Sequence, residues 1–183
     1  MRVLGVDPGL KITGWGMFVL SDSQIGTRTG SIKLPARLDT AFRLRAIVEQ
    51  LTEVIDQHHP DVVAVESPFV KSNVRAALAL GRAQAAAFIA AALRDRPVFE
   101  YAPREVKLAV AGDGNADKEV VAAALALELG LERGLEPGVA APPTLLDESD
   151  ALAVAYCHYL LTRDKQLASD ELLTRDQLKA AAE

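Results

Sequence analysis

The sequence predicts an α/β protein with a mixed central β-sheet flanked by helices. Three short β-rich segments open the chain, at 2–7, 12–20 and 25–34. Strands at 61–66 and 97–101 then alternate with helical segments, as in sheets that are covered by helices. The predicted order is three strands, a helix, a strand, a helix, a strand and three helices.

The first strand and the first helix have clear local patterns. Residues 2–7 form a short apolar run that closes with the turn sequence Asp7-Pro8-Gly9. From Leu38 the apolar spacing alternates between three and four residues, which predicts an amphipathic helix. The residues of this stripe are Ala41, Leu44, Val48, Leu51 and Ile55. We expect the helix to end at 58–60, because a proline disfavours helical geometry at the residue before it.

The middle of the chain predicts a central strand followed by helices. The run 61–66 is apolar on both faces and closes with a carboxylate, which suits a strand covered on both sides. An alanine-rich helix is predicted over 73–94, and a further helix opens near Pro103. We expect Asn115 to cap a helix over 116–129, because its side chain can accept an amide hydrogen bond in the first turn.

The C-terminal part combines a loop, a strong helix and a tail. Glycine and proline are frequent over 130–143, which predicts a loop, and a helix follows from about 145 to 162. Residues 164–183 hold three cations and five anions with few large apolar groups, so we expect a loosely ordered acidic tail. The predicted organisation is one domain over 1–163 followed by this tail.

Composition restricts the class of protein. The chain has 183 residues and a formal net charge of −5, which at first argues against a nucleic-acid partner. Its single cysteine, Cys157, excludes a disulfide framework and a cysteine-based zinc site, and it suits a reducing cytoplasm. No uninterrupted apolar run reaches the ~18 residues that span a membrane, so we expect a cytoplasmic protein without a membrane partner.

Four carboxylates stand where they could meet at one rim of the sheet. Asp7 and Glu66 close two predicted strands, and open α/β sheets bind ligands at the carboxyl ends of their strands. Asp147 and Asp150 begin the last helix and can share one of its faces. Such acids would repel each other, which a hard divalent cation such as Mg²⁺ resolves. Four carboxylates can hold two ions ~3.5–4 Å apart, the arrangement used for phosphodiester displacement.

Each acid also has a plain structural interpretation. Asp-Pro-Gly is a favoured turn whatever its function. Asp147 can cap the last helix, and Asp150 can interact with the positive end of the helix dipole. For this pair the structural and functional interpretations are equally open. Only the conjunction of all four acids favours a metal site.

Five blocks of the sequence form a collinear set. They are VLGVDPGLKITGWG at 3–16, VVAVESPFVKSN at 62–73, ALGRAQ at 79–84, VFEYAPREVKLAVAGDGNADK at 98–118 and DESDALAVAYCH at 147–158. In this order they resemble the RuvC family of Holliday-junction resolvases, the crossover junction endodeoxyribonucleases. The resemblance implies an RNase H-like fold and a homodimer. It also implies a site for two Mg²⁺ ions, or alternatively Mn²⁺, made by Asp7, Glu66, Asp147 and Asp150.

The same resemblance implies an activity and partners. The expected reaction is paired, symmetric nicking of four-way junction DNA in recombination and DNA repair. The expected partners are the junction itself and the RuvA–RuvB branch-migration complex.

Candidate DNA contacts lie in the middle part of the chain, between residues 69 and 118. The stretch 67–94 holds no acid and four cations, which are Lys71, Arg75, Arg82 and Arg94. Lys107 and Lys118 match lysines that the family uses near substrate phosphates, and backbone amides of the glycine-rich loop at 112–115 could approach a phosphate. Phe69 matches the family's junction-probing aromatic, although burial statistics alone favour a ring folded onto the core. The predicted DNA contacts are Phe69, Lys71, Asn73, Arg75, Arg82, Lys107 and Lys118.

Other functions stay open at this point. One is an RNase H-like nuclease that acts on RNA or on RNA–DNA hybrids, since a fold does not choose a substrate. Another is a non-catalytic junction-binding module, which should lack one of the four acids. A third is an actin- or sugar-kinase-like nucleotide-binding domain, because GVDPG resembles the phosphate strand of that superfold. That domain should bring a second phosphate hairpin, and none is visible in the sequence.

Overall fold

The computed structural model describes residues 1–35, 37–68, 73–130 and 149–165. The strands are β1 (Arg2–Asp7), β2 (Ile12–Ser21), β3 (Gln24–Lys33), β4 (Val62–Glu66) and β5 (Val98–Tyr101). The helices are α1 (Thr40–His58), α2 (Val74–Ala92), α3 (Pro103–Ala111), α4 (Lys118–Glu128) and α5 (149–165). Their order is the predicted one. All but the first residue of the loop predicted over 130–143, and the tail beyond 165, lie outside the described residues.

The five strands form one mixed sheet in the order β3-β2-β1-β4-β5. The first three strands make an antiparallel meander, and β4 and β5 run parallel to β1. Because β1 and β4 are parallel neighbours, their carboxyl ends meet at the same edge of the sheet. This places Asp7 and Glu66 side by side, as the sequence predicted.

Each face of the sheet has its own core, because successive side chains of a strand point to opposite faces. On one face, Leu4 and Val6 of β1 pack with buried residues of α1 and α2. On the other, Val3 and Phe18 pack with buried residues of α4 and α5, among them Cys157. The strand β4 is buried on both faces, as its apolar sequence predicted.

Two glycines bring α5 directly onto the sheet. A Cβ atom at Gly5 would overlap the carbonyl oxygen of Ala151 and lie 2.7 Å from the amide nitrogen of Ala155. A Cβ atom at Gly16 would lie 2.7 Å from the Cα atom of Leu152. The backbone of α5 therefore rests on β1 and β2 with no side chain between them. Glycine inside a strand often marks such a close approach.

Within the described ranges, one helix is long and apolar enough, by length and composition alone, to be a candidate membrane span. It is α2, with a mean hydropathy of 1.2 over its most apolar window. The sequence analysis did not identify this helix as a candidate span, because Arg75 and Arg82 interrupt its apolar residues. Ala83, Ala87 and Ala90 form a buried face of α2, and 28% of the apolar segment as a whole is buried.

The predicted cap of α4 is wrong. The helix begins at Lys118, and the preceding residue in the N-cap position is Asp117 rather than Asn115. The amide of Asn115 instead donates to the Asp113 carboxylate at 2.9 Å, and the amide of Ala116 donates to the Asp113 carbonyl oxygen at 3.1 Å. The chain thus makes a turn before it enters the helix, which the local pattern of cap residues does not reveal.

Candidate active site

Asp7 lies at the end of β1, where a fixed turn follows it. Its β2 neighbour is Gly14, and the next β2 residue toward the loop, Thr13, is fully buried. The Thr13 hydroxyl donates to the carbonyl oxygen of Gly9 at 2.9 Å and accepts from the Gly9 amide at 3.3 Å. This holds the Pro8-Gly9 turn, and with it the direction of Asp7. The sequence analysis did not identify Thr13.

Glu66 is the acid whose ionisation the fold perturbs most clearly. Burial, the neighbouring Asp7 charge, a hydrogen bond to Asp7 and the Asp150 charge together raise the pKa of Glu66 to about 8. The Lys118 ammonium opposes this rise in pKa but does not cancel it. At neutral pH, the carboxyl of Glu66 therefore carries a proton that it shares with Asp7.

Asp150 completes the acidic group from the first turns of α5. Its carboxylate, one-fifth exposed, makes an ion pair with the ammonium of Lys118 at the start of α4. The hydrogen bond to Asp150, together with the charges of Asp150, Asp7 and Glu66, raises the pKa of Lys118 against the opposing effect of burial. Lys118 therefore lies within electrostatic reach of all three acids.

A cavity of about 150 Å³ opens at this edge of the sheet. Asp7 and Glu66 lie in its wall, together with the turns that follow them, and α2 and α3 close it with Leu80 and Pro103. Lys107 is one helical turn beyond Pro103 on α3, and residues four apart share a helix face. The cavity is thus bordered by elements that carry predicted DNA contacts.

The arrangement is acidic but is not a preformed metal cage. Among the described residues, no three histidine, cysteine, aspartate or glutamate side chains are placed to hold one ion. Glu66 and Asp7 are hydrogen-bonded to each other, and Lys118 is bonded to Asp150. Asp147, the predicted fourth ligand, lies outside the described residues.

The donor set nevertheless fits a hard divalent cation. Such ions take oxygen ligands, and the acids near the cavity supply only carboxylate oxygens. The proton on Glu66 and the ammonium of Lys118 bring positive charge to a point where three carboxylates converge. A bound cation would take over the role of this proton and this ammonium in offsetting the negative charge of the carboxylates.

The predicted DNA contacts fall in several places. Arg75 and Arg82 are exposed on α2, and Lys107 is half-buried on α3. Asn73 caps α2, since its side-chain oxygen accepts from the Ala76 amide at 3.1 Å. Phe69 and Lys71 lie outside the described residues.

One cation of the predicted basic stretch is already paired. Arg94 forms a two-pronged ion pair with Asp56 of α1, with nitrogen–oxygen distances of 2.6 and 2.8 Å. Counting the charges of residues 67–94 did not reveal this partner, because Asp56 lies 38 positions before Arg94 in the chain. The other cations of the stretch, which are Lys71, Arg75 and Arg82, lie nearer its N-terminal end.

His158 is buried and engaged away from the acids. Its Nδ1 atom is 2.7 Å from the Tyr101 hydroxyl, and its Nε2 atom is 3.4 Å from the Thr162 hydroxyl. Because His158 is eight residues beyond Asp150, about 12 Å along a helix axis, the sequence already argued against a shared site.

Comparisons with known proteins give a consistent family. The family profile described as crossover junction endodeoxyribonuclease RuvC matches residues 3–158. A relative with this name from Cytophaga hutchinsonii is 42% identical over 163 residues, which cover 88% of this chain and 78% of the relative. Another from Dehalococcoides mccartyi is 43% identical over 161 residues, with 87% and 91% coverage. The solved structure of Thermus thermophilus RuvC in complex with Holliday junction substrate is 31% identical, with a TM-score of 0.76 and 90% and 96% coverage.

Proposed function

This chain belongs to the RuvC family of crossover junction endodeoxyribonucleases, and we propose that its acidic cavity resolves four-way DNA junctions by metal-assisted phosphodiester hydrolysis. The observation that carries the proposal is the convergence of Asp7, Glu66 and Asp150 at one sheet edge, beside Lys118. In the proposed reaction, one strand is nicked on each of two opposed arms of the junction.

The acids would hold the ions, and Asp147 would be the fourth ligand. Bound Mg²⁺, or alternatively Mn²⁺, supplies an activated water and stabilises the leaving oxygen. Before its oxygens can act as ligands, Glu66 must release the proton that it shares with Asp7. Lys118 compensates the charge of Asp150 in the ion-free site. In the proposed complex it would pair with a substrate phosphate.

DNA binding is proposed for cations on three helices. Arg75 and Arg82 on α2, Lys107 on α3 and Lys118 on α4 would contact phosphates, which position the junction without reading its sequence. Asn73, whose side-chain oxygen is used in the cap, retains its amide group for such a contact. Phe69 stays the proposed probe of unpaired bases, and Lys71 a further phosphate contact.

The substrate class is tested by incubating the enzyme with synthetic four-way junction, linear duplex and RNA–DNA hybrid. Each substrate is assayed with Mg²⁺, with Mn²⁺ and with EDTA. Symmetric nicks on the junction alone, and only with metal, are the expected result. Cleavage of the hybrid would favour the alternative nuclease, and junction binding without cleavage would favour a non-catalytic module.

Without bound metal, the stability of the folded protein should fall as the pH rises. Because the folded pKa of Glu66, about 8, exceeds the ordinary value of 4.5, the folded state binds more protons than the unfolded state between those pH values. In EDTA, we therefore expect the Tm to decrease between pH 5 and pH 8 relative to a Glu66→Gln variant, which cannot ionise. Mg²⁺ should raise the Tm of the unmodified protein more at pH 8 than at pH 6.

Calorimetry at several pH values measures both effects. Titration of the histidines and of exposed surface groups is common to the two proteins, so the difference between them isolates Glu66. Parallel pH profiles for the two proteins would contradict the assignment.

A homodimer is proposed because two symmetric nicks need two acidic sites. Each chain supplies one such site, and α2 presents an apolar exposed stripe that the described part of a single chain leaves uncovered. Its residues, each more than half exposed, are Val74, Leu78, Ile89 and Leu93. A second copy of the chain can cover this stripe through a two-fold contact. Assembly with RuvA–RuvB stays a proposal drawn from the family resemblance, and a cytoplasmic location stays a proposal drawn from the cysteine content and hydropathy of the sequence.

A charge on the stripe should disrupt the dimer. A two-fold interface uses each residue twice, so Leu78→Asp should weaken association by at least about tenfold. Light scattering at micromolar concentration should then show monomer. The control is Leu127→Asp, at a leucine of α4 that is 68% exposed. A Leu78→Asp protein that stays dimeric would rule out α2 as the interface.

A further inference from the structure

The end of β4 is held by only one neighbouring strand. Pairing between β1 and β4 runs from Val3–Val62 to Val6–Val65, so it stops one residue before Glu66. Glu66 pairs with Tyr101 of β5, and the Ser67 amide donates to the Tyr101 carbonyl oxygen at 2.8 Å. The backbone position of Glu66 therefore depends on where β5 ends.

The strand β5 is itself weakly anchored by its backbone. It is four residues long and lies at the edge of the sheet, with β4 as its neighbour. Edge strands have one row of backbone groups without a ladder partner. Side-chain contacts are needed to keep this end in place.

Glu100 ties β5 to α2 and to the turn after Glu66. One of its carboxylate oxygens accepts from the Gln84 side-chain amide at 2.9 Å and from the Ser67 hydroxyl at 3.3 Å. Ser67 lines the cavity directly after Glu66, and Gln84 lies on the helix that carries Arg82. A single carboxylate thus joins three elements on one face of the sheet.

Tyr101 makes the corresponding tie on the opposite face. Its hydroxyl is bonded to Nδ1 of His158, which lies on the same helix as Asp150. Burial lowers the pKa of His158 and raises the pKa of Tyr101 to about 12, so the ring is neutral and the phenol keeps its proton. The phenol therefore donates to Nδ1, and the Nε2 proton faces the Thr162 hydroxyl.

From these contacts we propose that Glu100 and Tyr101 are positioning residues that set Glu66 against α2 and against the helix of Asp150. Neither residue is assigned a contact with the reacting phosphate. The proposal rests on the proposed function, because it concerns the geometry of the same acidic site.

The test deletes each tie by a single substitution. Tyr101→Phe removes the hydroxyl and keeps the ring, Glu100→Ala removes the acceptor, and Glu100→Gln keeps an acceptor oxygen. Tyr156→Phe is the matched control, because the hydroxyl of Tyr156, which lies on α5, donates to Glu128 of α4 at 3.2 Å rather than to His158. Glu49→Ala, which breaks an exposed pair with Arg45, controls for loss of a carboxylate.

Three quantities are measured for each protein. They are Mn²⁺ affinity without DNA, the single-turnover cleavage rate on saturating junction, and junction affinity in Ca²⁺. We expect Tyr101→Phe and Glu100→Ala to weaken Mn²⁺ binding about threefold to tenfold and to slow cleavage about tenfold, since groups behind metal ligands affect both. Junction affinity should change less than about twofold, and Glu100→Gln should restore most of the loss.

Several outcomes would overturn the proposal. One is Mn²⁺ affinity and cleavage equal to those of the two controls. Another is a lowered Tm with unchanged Mn²⁺ affinity, which would make the ties merely structural. If the unmodified protein binds Mn²⁺ but does not cut junctions, the proposed function fails, while the Mn²⁺ measurements still decide the positioning role.

Discussion

Asp7→Asn should abolish junction cleavage while leaving junction binding intact. Asparagine keeps the shape of the side chain and removes its charge, so the turn held by Thr13 is preserved. Asp7 is also the acid whose charge and hydrogen bond act directly on Glu66. Metal ions contribute several kcal/mol of transition-state stabilisation, so loss of one ligand should slow cleavage by roughly 10³-fold or more.

Binding and cleavage are measured separately for this variant. Junction affinity is determined in Ca²⁺, and single-turnover cleavage in Mg²⁺. Removal of a negative charge from a DNA-facing cavity should leave affinity unchanged or slightly higher. Asp22→Asn is the matched control, because Asp22 lies in the β2–β3 turn at a positive φ of 48°, which asparagine also adopts. Cleavage by Asp7→Asn within tenfold of this control would remove Asp7 from the site.

The pairing of Asp7 with Glu66 could be predicted from sequence because it depends on local information. An apolar run that closes with a carboxylate identifies a strand and its end, and parallel neighbours bring such ends together. Apolar character predicts that both strands are buried, but it does not say which strands pair. The structure supplies that adjacency through the parallel register of β1 and β4 from Val3–Val62 to Val6–Val65.

The features that sequence reasoning missed depend on contacts between distant segments. The Lys118–Asp150 ion pair joins residues 32 positions apart, and the Arg94–Asp56 pair joins residues 38 apart. No periodicity or cap pattern contains such pairs. The ties from Glu100 and Tyr101 were missed for the same reason. Glycines inside strands are one sequence signal of a long-range contact, since Gly5 and Gly16 lie where the backbone of α5 approaches the sheet.

The net charge of −5 is a sum over regions of opposite charge, namely an acidic cavity and the basic residues on the helices around it. Asp7 and Glu66 line the cavity and Asp150 lies within electrostatic reach of Glu66, and Lys118 and a shared proton compensate these acids in the ion-free protein. Arg75, Arg82 and Lys107 lie on the helices whose Leu80 and Pro103 form the cavity wall. A phosphate backbone at the cavity would therefore meet cations on the bordering helices. The net charge argued against a DNA partner only while the positions of the charged residues were not considered.

The close approach of α5 leads to a prediction for Gly5→Ala. The added methyl group would meet the carbonyl oxygen of Ala151 and the amide nitrogen of Ala155, which are backbone atoms that no rotamer change can move. The helix must shift, and Asp150 directly precedes Ala151. Overpacking costs about 1–3 kcal/mol of unfolding free energy. For a chain of this length, the Tm should fall by roughly 5 °C or more. A displacement of Asp150 by about 1 Å should slow cleavage by ~10²-fold.

Gly81→Ala provides the opposite case within the same protein. Gly81 lies inside α2, and no heavy atom would lie within 4 Å of its added Cβ atom. Alanine in a helix interior is favoured over glycine by about 0.5–1 kcal/mol, so this variant should melt at a higher temperature. Its cleavage rate should match that of the unmodified enzyme. Calorimetry and single-turnover assays on both variants separate a general sensitivity of glycines from the specific contact of α5. If Gly5→Ala melted and cleaved like Gly81→Ala, the position of α5, and hence of Asp150 beside Lys118, would be wrong.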